Sequence, residues 1–142
     1  MTPLRALQTA LAGEHASIYL YSVIGGRISF SKAPTTAGAI DAAYAAHRAR
    51  RDQLQLAIRA LGGEPVVPQV AYETSGPVDT TAQIVAEALG IETRCAEVYA
   101  QAVANTTEDN RRWAVDALSD AAVRMLSFGG RPSAFPGLPE LT

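Results

Sequence analysis

Paired glycines and helix-starting prolines cut this chain at regular intervals, and no other feature limits its possible folds so strongly. Thr2-Pro3 puts a capping hydroxyl ahead of a proline at the first helical position, and the periodic stretch behind it runs to Gly25-Gly26. A loop holding Ser29, Ser31 and Pro34 leads to Thr35-Thr36 and a second stretch that stops at Gly62-Gly63. Asp79-Thr80-Thr81 cap a third, which ends near Asn105. Thr107-Glu108 open a fourth, closed by Gly129-Gly130 and Pro132. The punctuation predicts helices over residues 3–24, 37–61, 80–105 and 107–128, a connection at 62–79 and a non-helical tail at 129–142. The prolines of that tail forbid a continuous helix, so the tail is expected to pack across the bundle or a partner subunit.

Length and connection then choose a topology. At 1.5 Å per residue the four helices are each roughly 33 to 39 Å long, matched as a bundle requires. About two residues separate the third helix from the fourth, which makes them antiparallel neighbours. The 62–79 connection, if extended, reaches about 60 Å and can return along the whole bundle. The expected architecture is therefore all-α, a single domain over residues 1–142 built from two antiparallel helical hairpins joined by a long crossover. Composition agrees: 27 of the 142 residues are alanine, the strongest helix former, while aromatics make up 6% and charged residues 18%.

Charge and cysteine usage remove several partner classes. A net charge of −2 gives no footprint for nucleic acid, although Arg48, Arg50, Arg51 and Arg59 cluster locally. Glu14 and His15 interrupt the first apolar stretch, which argues against a membrane span and against a signal peptide. A single Cys95 suits a reducing, cytoplasmic setting. Asn105-Thr106-Thr107 matches a glycosylation acceptor, but without a secretory signal it reads as turn and cap chemistry.

The seams carry unusual residues. Alternating spacings of three and four connect Leu4, Leu7, Leu11, Glu14, Ile18 and Tyr21 in the first helix, and Ala82, Val85, Leu89, Glu92, Ala96 and Tyr99 in the third. Superposing Ala10-Leu11 on Ala88-Leu89 brings Glu14 onto Glu92 and Tyr21 onto Tyr99, an internal repeat of two related hairpins. The same spacing in the second helix gives Ile40, Tyr44, His47, Arg51, Leu54, Ile58 and Leu61. In the fourth it gives Val115, Leu118, Ala122 and Met125, with Asp116, Asp120 and Trp113 in a stripe to one side. Glu14 and Glu92 thus point inward, and buried carboxylates require partners. A metal held by carboxylate oxygens and an imidazole is one way to supply them. A hydrogen-bond and ion-pair network of Tyr21, Tyr44, His47, Arg51 and Tyr99 is the other.

On Leu11-Ala12-Gly13-Glu14-His15-Ala16, Ala46-His47-Arg48-Ala49-Arg50-Arg51-Asp52, Glu92 and Phe135-Pro136-Gly137-Leu138-Pro139-Glu140, the chain resembles the ferritin-like four-helix proteins. More narrowly it is similar to a bacterial ferritin-like family of unknown function. That resemblance implies the bundle already described and no activity. Against the di-iron and di-manganese ligand pattern, Glu14 and Glu92 match the two single glutamates and His47 the first Glu-x-x-His. Tyr44 stands where the glutamate of that motif belongs, and the second Glu-x-x-His is missing.

With three of six ligands absent, the count favours a metal-free structural or interaction module, most simply a homodimer through helix faces, with no cofactor and no enzymatic role. The alternative is a metalloprotein with a mononuclear or degenerate di-iron or manganese site at Glu14, His47 and Glu92, aided by Asp116, in oxygen, peroxide or metal handling. An acid–base enzyme using the two glutamates is a third possibility, with no substrate indicated. His15 is expected at a flank, Cys95 as a small buried hydrophobe, and Glu87 and Glu97 in solvent.

Overall fold

The computed structural model describes residues 1–139 and consists of four helices. They are α1 (Pro3–Gly25), α2 (Pro34–Ala60), α3 (Thr81–Asn105) and α4 (Glu108–Ser127), and there is no strand among the described residues. Local chemistry explains the ends. Thr2 Oγ1 accepts from Arg5 N at 3.3 Å, and Thr80 with Gln83 forms a reciprocal capping box that satisfies two orphan donors of α3. The second helix begins at Pro34, three residues earlier than its threonines suggest. Proline is pre-set for the first helical turn, so Thr35 and Thr36 lie inside α2 and Ala33 holds the cap position with no side-chain bond.

Antiparallel packing follows from the contacts themselves. Glu14 meets Tyr99, Ser17 meets Cys95 and Tyr21 meets Glu92, so α1 and α3 run in opposite directions. The hairpins α1–α2 and α3–α4 pack closely, α1 packs on α3, and α2 touches α4 only sparsely. Thr106 and Thr107 alone separate α3 from α4, and Glu108 enters the new helix with a φ of 50°, the left-handed region that a tight reversal demands.

The crossover is tied down instead of floating. Gln8 donates to Glu64 O at 2.6 Å and accepts from Val66 N at 2.9 Å, and His15 Nε2 bonds to Val66 O at 3.0 Å. Farther on, Ser75 N donates to Glu87 Oε2 at 2.8 Å and Arg94 reaches Ser75 Oγ. Glu87, expected in solvent, is buried for this reason, because it satisfies a backbone donor of the crossover and pairs with Arg94. Glu97 is exposed, and His15 is buried at the flank beneath the crossover.

Small residues set the seams. On α4 the buried positions are Ala114, Ala117 and Ala121, continued by Phe128, so Val115 lies 44% exposed and Leu118 and Met125 are only partly buried. On α3 they include Ile84, Ala88, Ile91, Glu92, Cys95, Ala96 and Tyr99, and Ala82 faces out. On α2 they are Ile40, Ala43, His47, Arg50, Leu54 and Ile58. The α4 line differs by about one residue from the spacing read off the larger apolar side chains, and one residue swings a side chain by about 100°. On α2 Ile40, His47, Leu54 and Ile58 and on α3 Glu92, Ala96 and Tyr99 are buried as their spacing indicates, while Tyr44, Arg51, Val85 and Leu89 give way to neighbours. The α1 seam through Leu7, Leu11, Glu14 and Tyr21 is buried as its spacing indicates.

The tail crosses α3. Gly137 has a φ of 77°, and a Cβ there would stand 2.2 Å from Ala96 O. Gly137→Ala is therefore expected to lift the tail from α3 and make the Ala134–Phe135 bond several-fold more sensitive to limited elastase digestion, with the helical circular dichroism unchanged. Residues 140–142 of the tail, including the Glu140 that closes the resembling motif, lie outside the described residues.

Candidate functional site

Along the α1–α2 hairpin, one apolar cluster holds Leu7, Leu11, Leu54 and Ile58, and the other holds Tyr21, Ile24, Ile40 and Ala43. Glu14 and His47 lie between them, and both are completely buried, as is Glu92 opposite. His47 is the centre of this layer. Its Nδ1 lies 2.7 Å from Glu14 Oε2, and its Nε2 lies 3.1 Å from Glu92 Oε1. An ionised carboxylate only accepts hydrogen bonds, so an imidazole between two of them must donate from both nitrogens and carry a positive charge.

The electrostatics follow. Burial alone pushes the His47 pKa down, but the hydrogen bonds to Glu14 and Glu92 and the charges of both carboxylates outweigh it and hold it above the ordinary 6.5. Burial pushes Glu92 up, and His47, Arg124 and the Tyr21 hydroxyl together hold it below the ordinary 4.5. Arg124 donates from Nε to Glu92 Oε1 at 3.0 Å and from Nη1 to Asp120 at 3.1 Å. Burial lowers its guanidinium pKa, and Glu92 and Asp120 more than restore it.

The two halves of the repeat serve each other. Tyr21 donates to Glu92 Oε1 at 2.7 Å, and Tyr99 donates to Glu14 Oε1, so each hairpin's tyrosine satisfies the other hairpin's glutamate. Burial, reinforced by those carboxylates, keeps both phenols protonated and fixed as donors. Symmetry breaks at the next position. Ala121 stands as far from the start of α4 as His47 does from the start of α2, and Arg124 corresponds in the same way to Arg50. Arg50 pairs with Asp120 and lies 5.4 Å from the centre of the Tyr99 ring, so both arginines grip one aspartate. Glu92 Oε2, Arg50 Nη1 and Arg124 Nη2 are buried without a hydrogen-bond partner.

Five of the expected network residues are thus together: Glu14, Tyr21, His47, Glu92 and Tyr99. Tyr44 and Arg51 are not among them. Tyr44 is half-buried beneath the Arg48 guanidinium, and Arg51 pairs with its neighbour Asp52. Ala43 and Arg50 take the inward positions, because alanine lets the α2 backbone approach where tyrosine cannot. Asp116 is exposed on the rim of the α2–α4 groove and does not reach Glu14, His47 or Glu92. The arginine on the carboxylates is Arg124; a seam through Val115 and Leu118 turns it aside, whereas one through Ala114, Ala117 and Ala121 brings position 124 next in the series. Cys95 is buried, 3.0 Å from Ser17 Oγ, and burial pushes its thiol well up into the neutral form.

A di-metal centre does not fit these residues. Both nitrogens of the one core histidine are engaged by carboxylates, a guanidinium sits on Glu92, and Ala121 replaces the second histidine. Among the described residues no group of three or more His, Cys, Asp or Glu is placed to hold a metal ion.

Protonation of the layer sets a pH window. Glu92, lowered on folding, contributes stability that is present above pH 4.5 and lost as the pH falls through its folded value. His47, raised on folding, contributes in full below pH 6.5 and loses that contribution as the pH rises through its folded value. Thermal melts across the acid to alkaline range are expected to show the highest melting temperature between those limits, with the alkaline decline flattened in His47→Gln.

Comparison with solved structures finds the same bundle elsewhere. A conserved hypothetical protein from Mycobacterium tuberculosis, rv2844, is 27% identical with a TM-score of 0.83, over 89% of this chain and 94% of that one. A structure from Bacillus anthracis described as ferritin-like, diiron-carboxylate proteins is 18% identical with a TM-score of 0.76, over 89% of this chain and 92% of the other. The fold is ferritin-like. No curated protein matches the sequence. A family model described as a domain of unknown function (DUF4439) matches residues 6–140.

Proposed function

Starting from a chain that belongs to the DUF4439 family of domains of unknown function, we propose that it is a metal-independent ferritin-like bundle acting as a structural or interaction module. One observation carries this reading: His47 spends both ring nitrogens on Glu14 and Glu92, with the Arg124 guanidinium beside it. The two carboxylates that would hold a metal are thereby neutralised by protein cations. Bringing in a divalent ion requires His47 to lose a proton and Arg124 to leave a buried carboxylate, and both steps cost free energy. The Bacillus anthracis structure is described as diiron-carboxylate, and this chain shares its fold but carries Ala121 at the α4 position that corresponds to His47 in α2.

Self-association is the interaction this reading favours, since Leu56 on α2 and Val115, Val123 and Leu126 on α4 are exposed, and Val123 lines the groove between the sparsely packed α2 and α4. Protein purified without chelator is expected to contain well under one equivalent of iron, manganese or zinc, and its melting temperature to be unmoved by EDTA or added metal. Light scattering on the same sample is expected to give a dimer. About one bound equivalent, lost in Glu14→Ala, would overturn the reading and restore a mononuclear or degenerate di-iron or manganese centre at Glu14, His47 and Glu92.

A further inference from the structure

Tyr44 and Arg51, excluded from the core, share a second place. Between α1, the middle of α2 and the crossover lies a cleft of about 340 Å³ walled by Tyr19, Tyr44 and Tyr72, with Ile18 among its apolar lining and His15 and Arg51 supplying nitrogens. Its size suits a single-ring or fused two-ring ligand.

Three features give the cleft a chemical preference. No carboxylate is among the residues that line it, whereas in the larger α2–α4 groove Arg50 already faces Asp116 and Asp120. Arg51 gives Nε and Nη2 to Asp52, which leaves Nη1 and its two hydrogens without a partner. The hydroxyls of Tyr19 and Tyr44 bond to no protein group, and His15, 7% exposed, uses Nε2 on Val66 O and leaves Nδ1 over. A second positive charge, Arg48, lies 5.7 Å from the centre of the Tyr44 ring.

The cleft is also pre-formed. The Gln8 clamp on Glu64 and Val66, the His15 bond to Val66 and the bond from Gln69 N to Tyr72 Oη at 3.0 Å fix the crossover wall. Tyr19 and Tyr72 pack at a ring separation of 5.6 Å across the boundary between α1 and crossover. A ligand therefore meets aromatic walls that need little ordering.

We propose that this cleft binds a small aromatic carboxylate, its ring among the three tyrosines and its carboxylate at Arg51 Nη1 and a tyrosine hydroxyl. Aromatic faces favour a planar ring, and a guanidinium with no acid lining the same cleft favours an anion. The site is separate from the Glu14–His47–Glu92 layer and stands whether or not that layer excludes metal.

The test uses the full chain and 2-naphthoate, followed by amide chemical shifts and by calorimetry. Saturable binding is expected, with shifts at Ile18, Tyr19 and Tyr72. Arg51→Gln is expected to weaken it by at least about tenfold and Tyr44→Phe by less, both with the native melting temperature because these side chains are only partly buried. 2-Naphthamide and cyclohexanecarboxylate are expected to bind several-fold more weakly. Absence of saturation up to the solubility limit, shifts confined to the α2–α4 groove, equal binding of the amide, or an Arg51→Gln variant that binds as well as the native chain would each overturn the proposal.

Discussion

His47→Ala is expected to lower the unfolding free energy by about 3–5 kcal/mol, the cost of leaving buried carboxylates without their cation. Glu14 and Glu92 are both completely buried, so neither can turn to water when the imidazole is removed. A domain of this kind has about 5–15 kcal/mol in total, so the variant is expected to be marginal near neutral pH. Its loss should shrink on acidification, because a protonated Glu92 no longer needs the partner. Arg51→Ala and Asp116→Asn are expected to stay within about 0.5 kcal/mol of the native chain, since Arg51 pairs only with Asp52 and Asp116 is exposed. Urea titrations of the three variants decide the placement: an Arg51→Ala loss equal to that of His47→Ala would put Arg51 back in the core.

Replacing the whole layer is expected to have the opposite sign. A chain carrying Glu14→Leu, His47→Leu, Glu92→Leu and Arg124→Met, with Tyr21→Phe and Tyr99→Phe to remove the stranded hydroxyls, should be at least as stable as the native one. The expected gain is up to about 1–4 kcal/mol, because desolvating a buried ion pair often costs more than its attraction returns. Arg50 and Asp120 keep each other in that chain. Its melting temperature should also lose the alkaline decline attributed to His47. A redesigned chain that fails to fold cooperatively would show instead that the ion-pair layer selects the packing arrangement, which is a role beyond inherited ballast.

The difference between single and collective replacement explains why the layer persists in an otherwise apolar core. Each member is held by the others: Tyr99 needs Glu14, Glu14 needs His47, and His47 needs Glu92, which in turn is held by Tyr21 and Arg124. Loss of Glu14 strands the Tyr99 hydroxyl, loss of Glu92 strands that of Tyr21, and loss of His47 strands Glu14 Oε2, so stepwise removal of these three passes through unstable chains.

How far the sequence could be read depended on which side chains marked the seam. In α1 the inward positions are large and distinctive, and Leu7, Leu11, Glu14 and Tyr21 are buried as their spacing indicates. In α4 alanine fills the seam and in α2 Ala37 and Ala43 share it with Ile40, Leu54 and Ile58, and alanine occurs on every face of these helices. Tyr44, Val115 and Leu118 were larger and so looked more like core residues than Ala43, Ala114 and Ala117. Arg50 and Arg124 were hidden by the same error, since a phase that starts on alanine predicts both. His47 survived it because it lies on the inward face in either phase.

Local chemistry in the sequence determined the four helices, their approximate ends, the crossover and the inward direction of Glu14, His47, Glu92 and the two repeat tyrosines. Caps, prolines, glycines and the 3.6-residue period act within a few residues of themselves, so one chain read in order is enough to find them. Only the tertiary structure decided which cation meets which carboxylate. That pairing depends on the rotation of each helix against its neighbours, which in α2 and α4 is set by where alanine permits the closest approach. It turned a partial metal-ligand set into a chain of ion pairs, and it moved Tyr44 and Arg51 from the core to the wall of a cleft.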